Sequence, residues 1–131
     1  MPPQYNAPAR AQGSPRVGIV DIDRRVQTAL ADVLRVHGLD IVGAAGDAQS
    51  ALELVHGGAD VLIVDPKLPD LATGQALVTS VIAEWPSVRV VIMGWGDSGD
   101  SRLGREAAGF ISKSAPPEQF VAAAIAAVAA D

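Results

Sequence analysis

The sequence predicts an α/β domain built on a buried parallel sheet, and three observations carry that expectation. Short runs of β-forming apolar residues alternate along the chain with longer segments of helical period. One of those runs, Val61-Leu62-Ile63-Val64, is apolar at every position, as a strand covered on both faces must be. Acidic residues, Asp21 and Asp65, stand directly after two of the runs. Strands and helices that alternate in short units form parallel sheets with helices on both faces. In such sheets polar chemistry gathers at the carboxyl ends of the strands.

The elements follow in order. Residues 1–15 are polar and rich in Pro and Ala and read as a flexible tail, leaving 16–131 as one domain. Val17-Gly18-Ile19-Val20 is the first strand, ending at Asp21. From Asp23 to His37, Val26, Leu30, Val33 and Leu34 share one helical face, and Gly38 is the stop. Ile41-Val42 marks a brief second strand. Asp47 is placed to cap a helix carrying Ala51, Leu52 and Val55, which Gly57-Gly58 closes. After the third strand and Asp65, the residues Pro66, Pro69 and Gly74 predict a loop. Leu77, Val81, Ile82 and Trp85 then recur at helical spacing up to Pro86. Val88–Met93 is a fourth strand and Phe110-Ile111 a fifth. A final Ala-rich helix over 117–130 places Val121, Ala124, Ile125 and Val128 on its core side.

Composition narrows the function. With 131 residues, 49 % hydrophobic and 19 % charged, the chain is long enough for a single core. A net charge of −5 with scattered basic residues gives no footprint for nucleic acid. The absence of cysteine excludes disulfides, thiolate catalysis and Cys-type zinc sites. His37 and His56 lie far apart in helical segments, which disfavours a histidine metal site. No apolar run is long enough to span a bilayer, and the N-terminus lacks a signal-peptide core, so a cytoplasmic protein with no membrane association is expected.

The predicted topology puts Asp21, Asp65, Gly94 and Lys113 on one rim of the sheet. Two carboxylates at a shared edge repel unless a cation lies between them. Mg2+ suits such a pair because it takes hard oxygen ligands and tolerates only a few of them from protein. A lysine on the same rim offers a fixed charge to phosphoryl oxygens. Carboxylate, divalent ion and lysine together are the parts of a phosphoryl-transfer site.

Four segments, VGIVDID (17–23), VLIVDPKLPD (61–70), VVIMGW (90–95) and GFISKSAPPEQF (109–120), together resemble the response-regulator receiver domain over residues 16–131. The resemblance implies a flavodoxin-like, three-layer α/β sandwich with a five-stranded parallel sheet of order 2-1-3-4-5. It implies that Asp65 accepts a phosphoryl group from a histidine kinase or phosphotransfer protein. Asp21, Asp65 and the backbone carbonyl of Lys67 would then hold Mg2+, with Asp23 a further candidate ligand. Lys113 matches the lysine that pairs with phosphoryl oxygens, and Gly94 and Phe110 stand at the two switch positions.

The departures from the family pattern are specific. The second of two adjacent acids is replaced by Ile22, with Asp23 one residue further on, where it can equally cap the following helix. Gly94 stands where Ser or Thr is usual, and Trp95 where small residues are common. Glycines at 96, 99, 104 and 109 leave a degenerate fourth helix, and Lys113 is followed by Ser114 in place of Pro. The expected function is a stand-alone receiver, a signalling module and not an enzyme. Because the chain ends at Asp131, its output is expected to pass through an unknown downstream protein, with the receiver a monomer or weak dimer. The alternative is a phosphorylation-independent adaptor that keeps the fold. Asp21-Ile22-Asp23 also superficially resembles the nucleophile motif of haloacid-dehalogenase-type phosphatases, but the chain is short for that family.

Overall fold

The computed structural model describes residues 14–95 and 106–129. Five strands, β1 (Arg16–Val20), β2 (Asp40–Ala45), β3 (Val61–Val64), β4 (Arg89–Gly94) and β5 (Gly109–Ser112), form one parallel sheet of order β2-β1-β3-β4-β5. Among the described residues, four helices, α1 (Arg24–Val36), α2 (Ala48–His56), α3 (Leu71–Glu84) and α4 (Pro117–Ala129), cover its two faces. This is the expected flavodoxin-like, three-layer arrangement. The degenerate helix expected within 96–109 falls largely outside the described residues. So does most of the 1–15 tail, of which only Ser14 and Pro15 are described.

The uninterrupted apolar strands follow from the two layers of core they feed. Val61 and Ile63 point with Val17, Ile19, Val91 and Met93 into the layer filled by α1 and α4. Leu62 and Val64 point with Val20, Val90 and Ile92 toward α2 and α3. Successive side chains on a strand face opposite ways, so both alternating sets of β3 must be apolar. The close fit on the α2 side depends on missing side chains. A Cβ at Gly18 or Gly43 would come within 3 Å of the Leu54 side chain (2.9 and 2.8 Å). Leu54 therefore sits over two neighbouring strands at once.

Helix limits follow local chemistry. Asp23, Asp47 and Asp70 cap α1, α2 and α3, accepting from the backbone N–H groups of Arg25, Ser50 and Thr73. Gly38 and Gly58 follow α1 and α2 with φ of 95° and 103°, a left-handed turn that only glycine adopts without cost.

Three expectations about helices need correction. Gly74 lies inside α3 and not in a loop; the Asp70 cap starts the helix earlier than Pro66, Pro69 and Gly74 suggest. Val33 is 38 % exposed, because α1 turns Ala31 and Leu34 toward the sheet. On α4, Ile125 and Val128 are 45 % and 36 % exposed, whereas Phe120, Ala124 and Ala127 are buried. The large Phe120 anchors one end of that stripe, and the alanines let the rest of the helix approach the strands closely. Strand β2 is also longer than Ile41-Val42, extending to Ala45 with an irregularity opposite Val17 and Gly18.

Candidate functional site

The strand order reverses between β1 and β3, because β1 connects outward to β2 before the chain returns to β3 on the other side. Ligands in open α/β sheets bind outside the carboxyl ends of the strands at such a reversal. Asp21 and Asp65 stand at those two strand ends. Backbone bonds fix both: the Asp21 N–H donates to the Ala45 carbonyl at 3.0 Å and the Asp65 N–H to the Val20 carbonyl at 2.9 Å. Lys113 follows β5, its N–H donating to the Gly94 carbonyl at 2.8 Å.

Three distant stretches of sequence thus meet. The Lys113 ammonium lies 2.5 Å from Asp21 Oδ2 and 2.6 Å from Asp65 Oδ2. The side chains are 7 %, 1 % and 13 % exposed for Lys113, Asp21 and Asp65, so the triad is largely withdrawn from water. Burial pulls the Lys113 ammonium down, but the contacts and charges of Asp21 and Asp65 outweigh it and hold the group above its usual 10.5. Two carboxylates against one ammonium leave the cluster with a negative charge to spare.

The outer oxygens are fixed by backbone. Asp21 Oδ1 accepts from the Asp23 N–H at 2.8 Å, and Asp65 Oδ1 from the Lys67 N–H at 3.1 Å. Asp21 Oδ2 is buried and meets Lys113 as an ion pair, with no hydrogen bond aligned on it. The negative charge left over by two carboxylates against one ammonium suits a metal cation. With the Asp65 carboxylate beside that of Asp21 on the same ammonium, the pair offers the hard oxygens Mg2+ prefers. These residues fit the ion.

The remaining predicted site residues divide. Asp23 is turned to the helix: its Oδ1 accepts from the Arg25 N–H at 2.9 Å, and its Oδ2 is 3.4 Å from the Arg25 guanidinium. Those bonds to Arg25 lower its carboxyl from the usual 3.8. Among the described residues, no group of three or more acidic, His or Cys side chains forms a metal-binding cluster. The Lys67 side chain is exposed, and Ile22, in place of a second acid, is 53 % exposed. Gly94 ends β4 beside Phe110, whose ring is half-buried; a Cβ at Gly94 would lie 3.7 Å from Phe110 Cε1, an ordinary contact. No crowding therefore requires glycine at 94.

Two supporting residues escape a reading by motif. Gln27 Nε2 donates to the Asp21 backbone carbonyl at 2.7 Å, tying the end of β1 to α1. Gly74 lets α3 rest on the loop after Asp65: a Cβ there would overlap the Pro66 carbonyl oxygen. The Asp70-x-x-Thr73 cap is the signal that would have placed Gly74 within a helix.

A doubly wound sheet with an acidic pair and a lysine gathered at its switch point defines the class: a flavodoxin-like α/β domain with a charged pocket at the strand ends. The response regulator receiver domain model matches residues 17–125. The chain belongs to that family, whose domains serve two-component signalling. A stretch of 55 residues is 42 % identical to the transcriptional regulatory protein PdtaR of Mycobacterium tuberculosis, spanning 41 % of this chain and 27 % of that protein's length. The fold is similar to the signal receiver domain of NarL from Mycobacterium tuberculosis, with TM-score 0.75 and 24 % identity over 90 % of this chain and 98 % of that one. It is similar also to the receiver domain of NtrX from Brucella abortus, with TM-score 0.76 and 22 % identity over 88 % and 99 % of the two chains. These relatives are bacterial. Among the described residues, no helix is long and apolar enough to cross a membrane.

Proposed function

We propose that this receiver domain accepts a phosphoryl group on Asp65 from a histidine kinase or phosphotransfer protein and passes the signal to a protein partner in the cytoplasm. The observation that carries this reading is the approach of the Asp21 and Asp65 carboxylates to one buried ammonium, that of Lys113. An Asp65 oxygen attacks the phosphorus of a phosphohistidine; the P–N bond breaks and its electron pair leaves with the imidazole, giving an acyl phosphate. Lys113 pairs with the phosphoryl oxygens as charge builds on them. Asp21, Asp65 and the Lys67 carbonyl would hold Mg2+, which supplies further charge neutralisation when bound. Asp21, anchored through its carbonyl by Gln27, contributes the second carboxylate and does not itself react.

The test is incubation with acetyl phosphate and Mg2+, followed by intact mass. A gain of one phosphoryl group that is absent in Asp65→Ala is expected; no adduct on the wild type, or one that survives the substitution, overturns the assignment.

A phosphorylation-independent adaptor is the second reading, favoured by the exposed Ile22 and by the lack of a hydroxyl at Gly94. Partner affinity discriminates the two. It is unchanged by Asp65→Asn in an adaptor and altered in a phosphorylation-driven module.

A further inference from the structure

Trp95 stands immediately after β4 and is 70 % exposed, so burial does not account for a large indole at this position. Its ring centroid lies 5.4 Å from the Lys113 ammonium, within range of a cation–π attraction. The two side chains also line a recess of about 280 Å³ with Val26, Leu30, Met93 and Phe120. An indole mostly in water thus stands against a lysine that is 7 % exposed, and the ring occupies part of the shell that water would otherwise fill.

The carboxylates attract the ammonium, but a four-carbon stem with rotatable bonds does not by itself keep the charge there. Among the described residues, the side-chain partners of Lys113 are Asp21, Asp65 and Trp95. Gly94, the residue before Trp95, contributes no polar side-chain atom to the pocket. We infer that Trp95 is a positioning residue for Lys113: its ring face attracts the ammonium, keeps water from that side, and so holds the charge on the two carboxylates. The consequence for phosphoryl transfer rests on Asp65 being the acceptor; the positioning itself does not.

Lysine chemistry tests this directly, because Lys67 and Lys113 are the two lysines of the chain and Lys67 is exposed. Brief acetylation with isotope-labelled acetic anhydride, without phosphodonor or metal, gives the Lys113-to-Lys67 labelling ratio by peptide mapping. Trp95→Leu keeps apolar cover but removes the π face; Trp95→Phe keeps a π face. The ratio is expected to rise about fivefold in the Leu variant and to stay within about twofold of wild type in the Phe variant. A Leu variant with the wild-type ratio, or a Phe variant labelled as readily as the Leu variant, overturns the proposal. Because no phosphodonor is present, failure of Asp65 as an acceptor would leave this result standing. Conversely, a phosphorylated Asp65 with an unchanged Leu variant removes only the role of Trp95.

Discussion

Gly74 of α3 packs directly against the Pro66 carbonyl, so that a methyl group at 74 would occupy the same space as that oxygen. The obstacle is backbone, one residue from Asp65, and backbone cannot swing aside as a side chain can. Gly74→Ala should therefore either push α3 outward or shift the acid loop. A loss of more than about 2 kcal/mol in urea unfolding is expected, against the gain alanine would ordinarily bring inside a helix. A stability equal to or above wild type would show that the contact is not limiting.

Removing Lys113 should be costly for a different reason. Lys113→Met keeps the volume of the stem but leaves Asp21 and Asp65 facing each other without a cation. A loss on the order of 3 kcal/mol is expected at neutral pH, read from denaturant midpoints. Adding Asp21→Asn to Lys113→Met should recover part of it.

The pH dependence of that difference has a defined sign. Lys113 is held above 10.5 in the folded state by Asp21 and Asp65. Its contribution is therefore complete below that unfolded value and is lost as pH rises through the higher folded one. From neutral pH upward, the gap in stability between wild type and Lys113→Met should stay flat and then close above about pH 10.5. A gap that closes near neutral pH would contradict the pairing.

Gly94 offers a gain-of-function test. Since a Cβ there meets only Phe110, at 3.7 Å and 4.0 Å, Gly94→Ser should fold with stability unchanged or raised by up to about 1 kcal/mol. It should also increase the fraction of Asp65 modified by acetyl phosphate, by placing a hydroxyl beside the pocket. An equal fraction in both proteins would mean that the missing hydroxyl is not what limits the chemistry.

Asp23 separates capping from metal binding. Asp23→Ala should lower the melting temperature, and Asp23→Asn, which retains a capping oxygen, should restore most of it. Mg2+ affinity, followed by tryptophan fluorescence, is expected to be the same in all three proteins. A marked loss of affinity in Asp23→Asn would return Asp23 to the ligand set.

The strand pattern was legible because a short apolar run without alternation, bounded by turn residues, fits a strand buried on both faces, and the acids that end such runs mark the rim. What escaped was set by contacts between elements distant in sequence. Gly74 reads locally as a breaker although the Asp70 cap starts a helix before it, and it is the contact with the Pro66 carbonyl that requires glycine there. Ile125 and Val128 read as core because they are large, yet α4 turns its alanines inward, since depth of approach to the sheet matters more there than side-chain size. The Trp95–Lys113 contact joins residues from separate strand ends, and no local pattern encodes it.

The supports of the pocket are unequal. Asp21 and Asp65 leave strands flanked on both sides, while Lys113 leaves β5, a four-residue border strand with a single neighbour. Fraying of that border would withdraw the positive member and strand two anions in a half-dry cleft, with the rest of the sheet still closed. One open edge of the sheet is thus also where the charge balance of the pocket is kept, and any ion or phosphate that stitches the cleft together would tighten that edge.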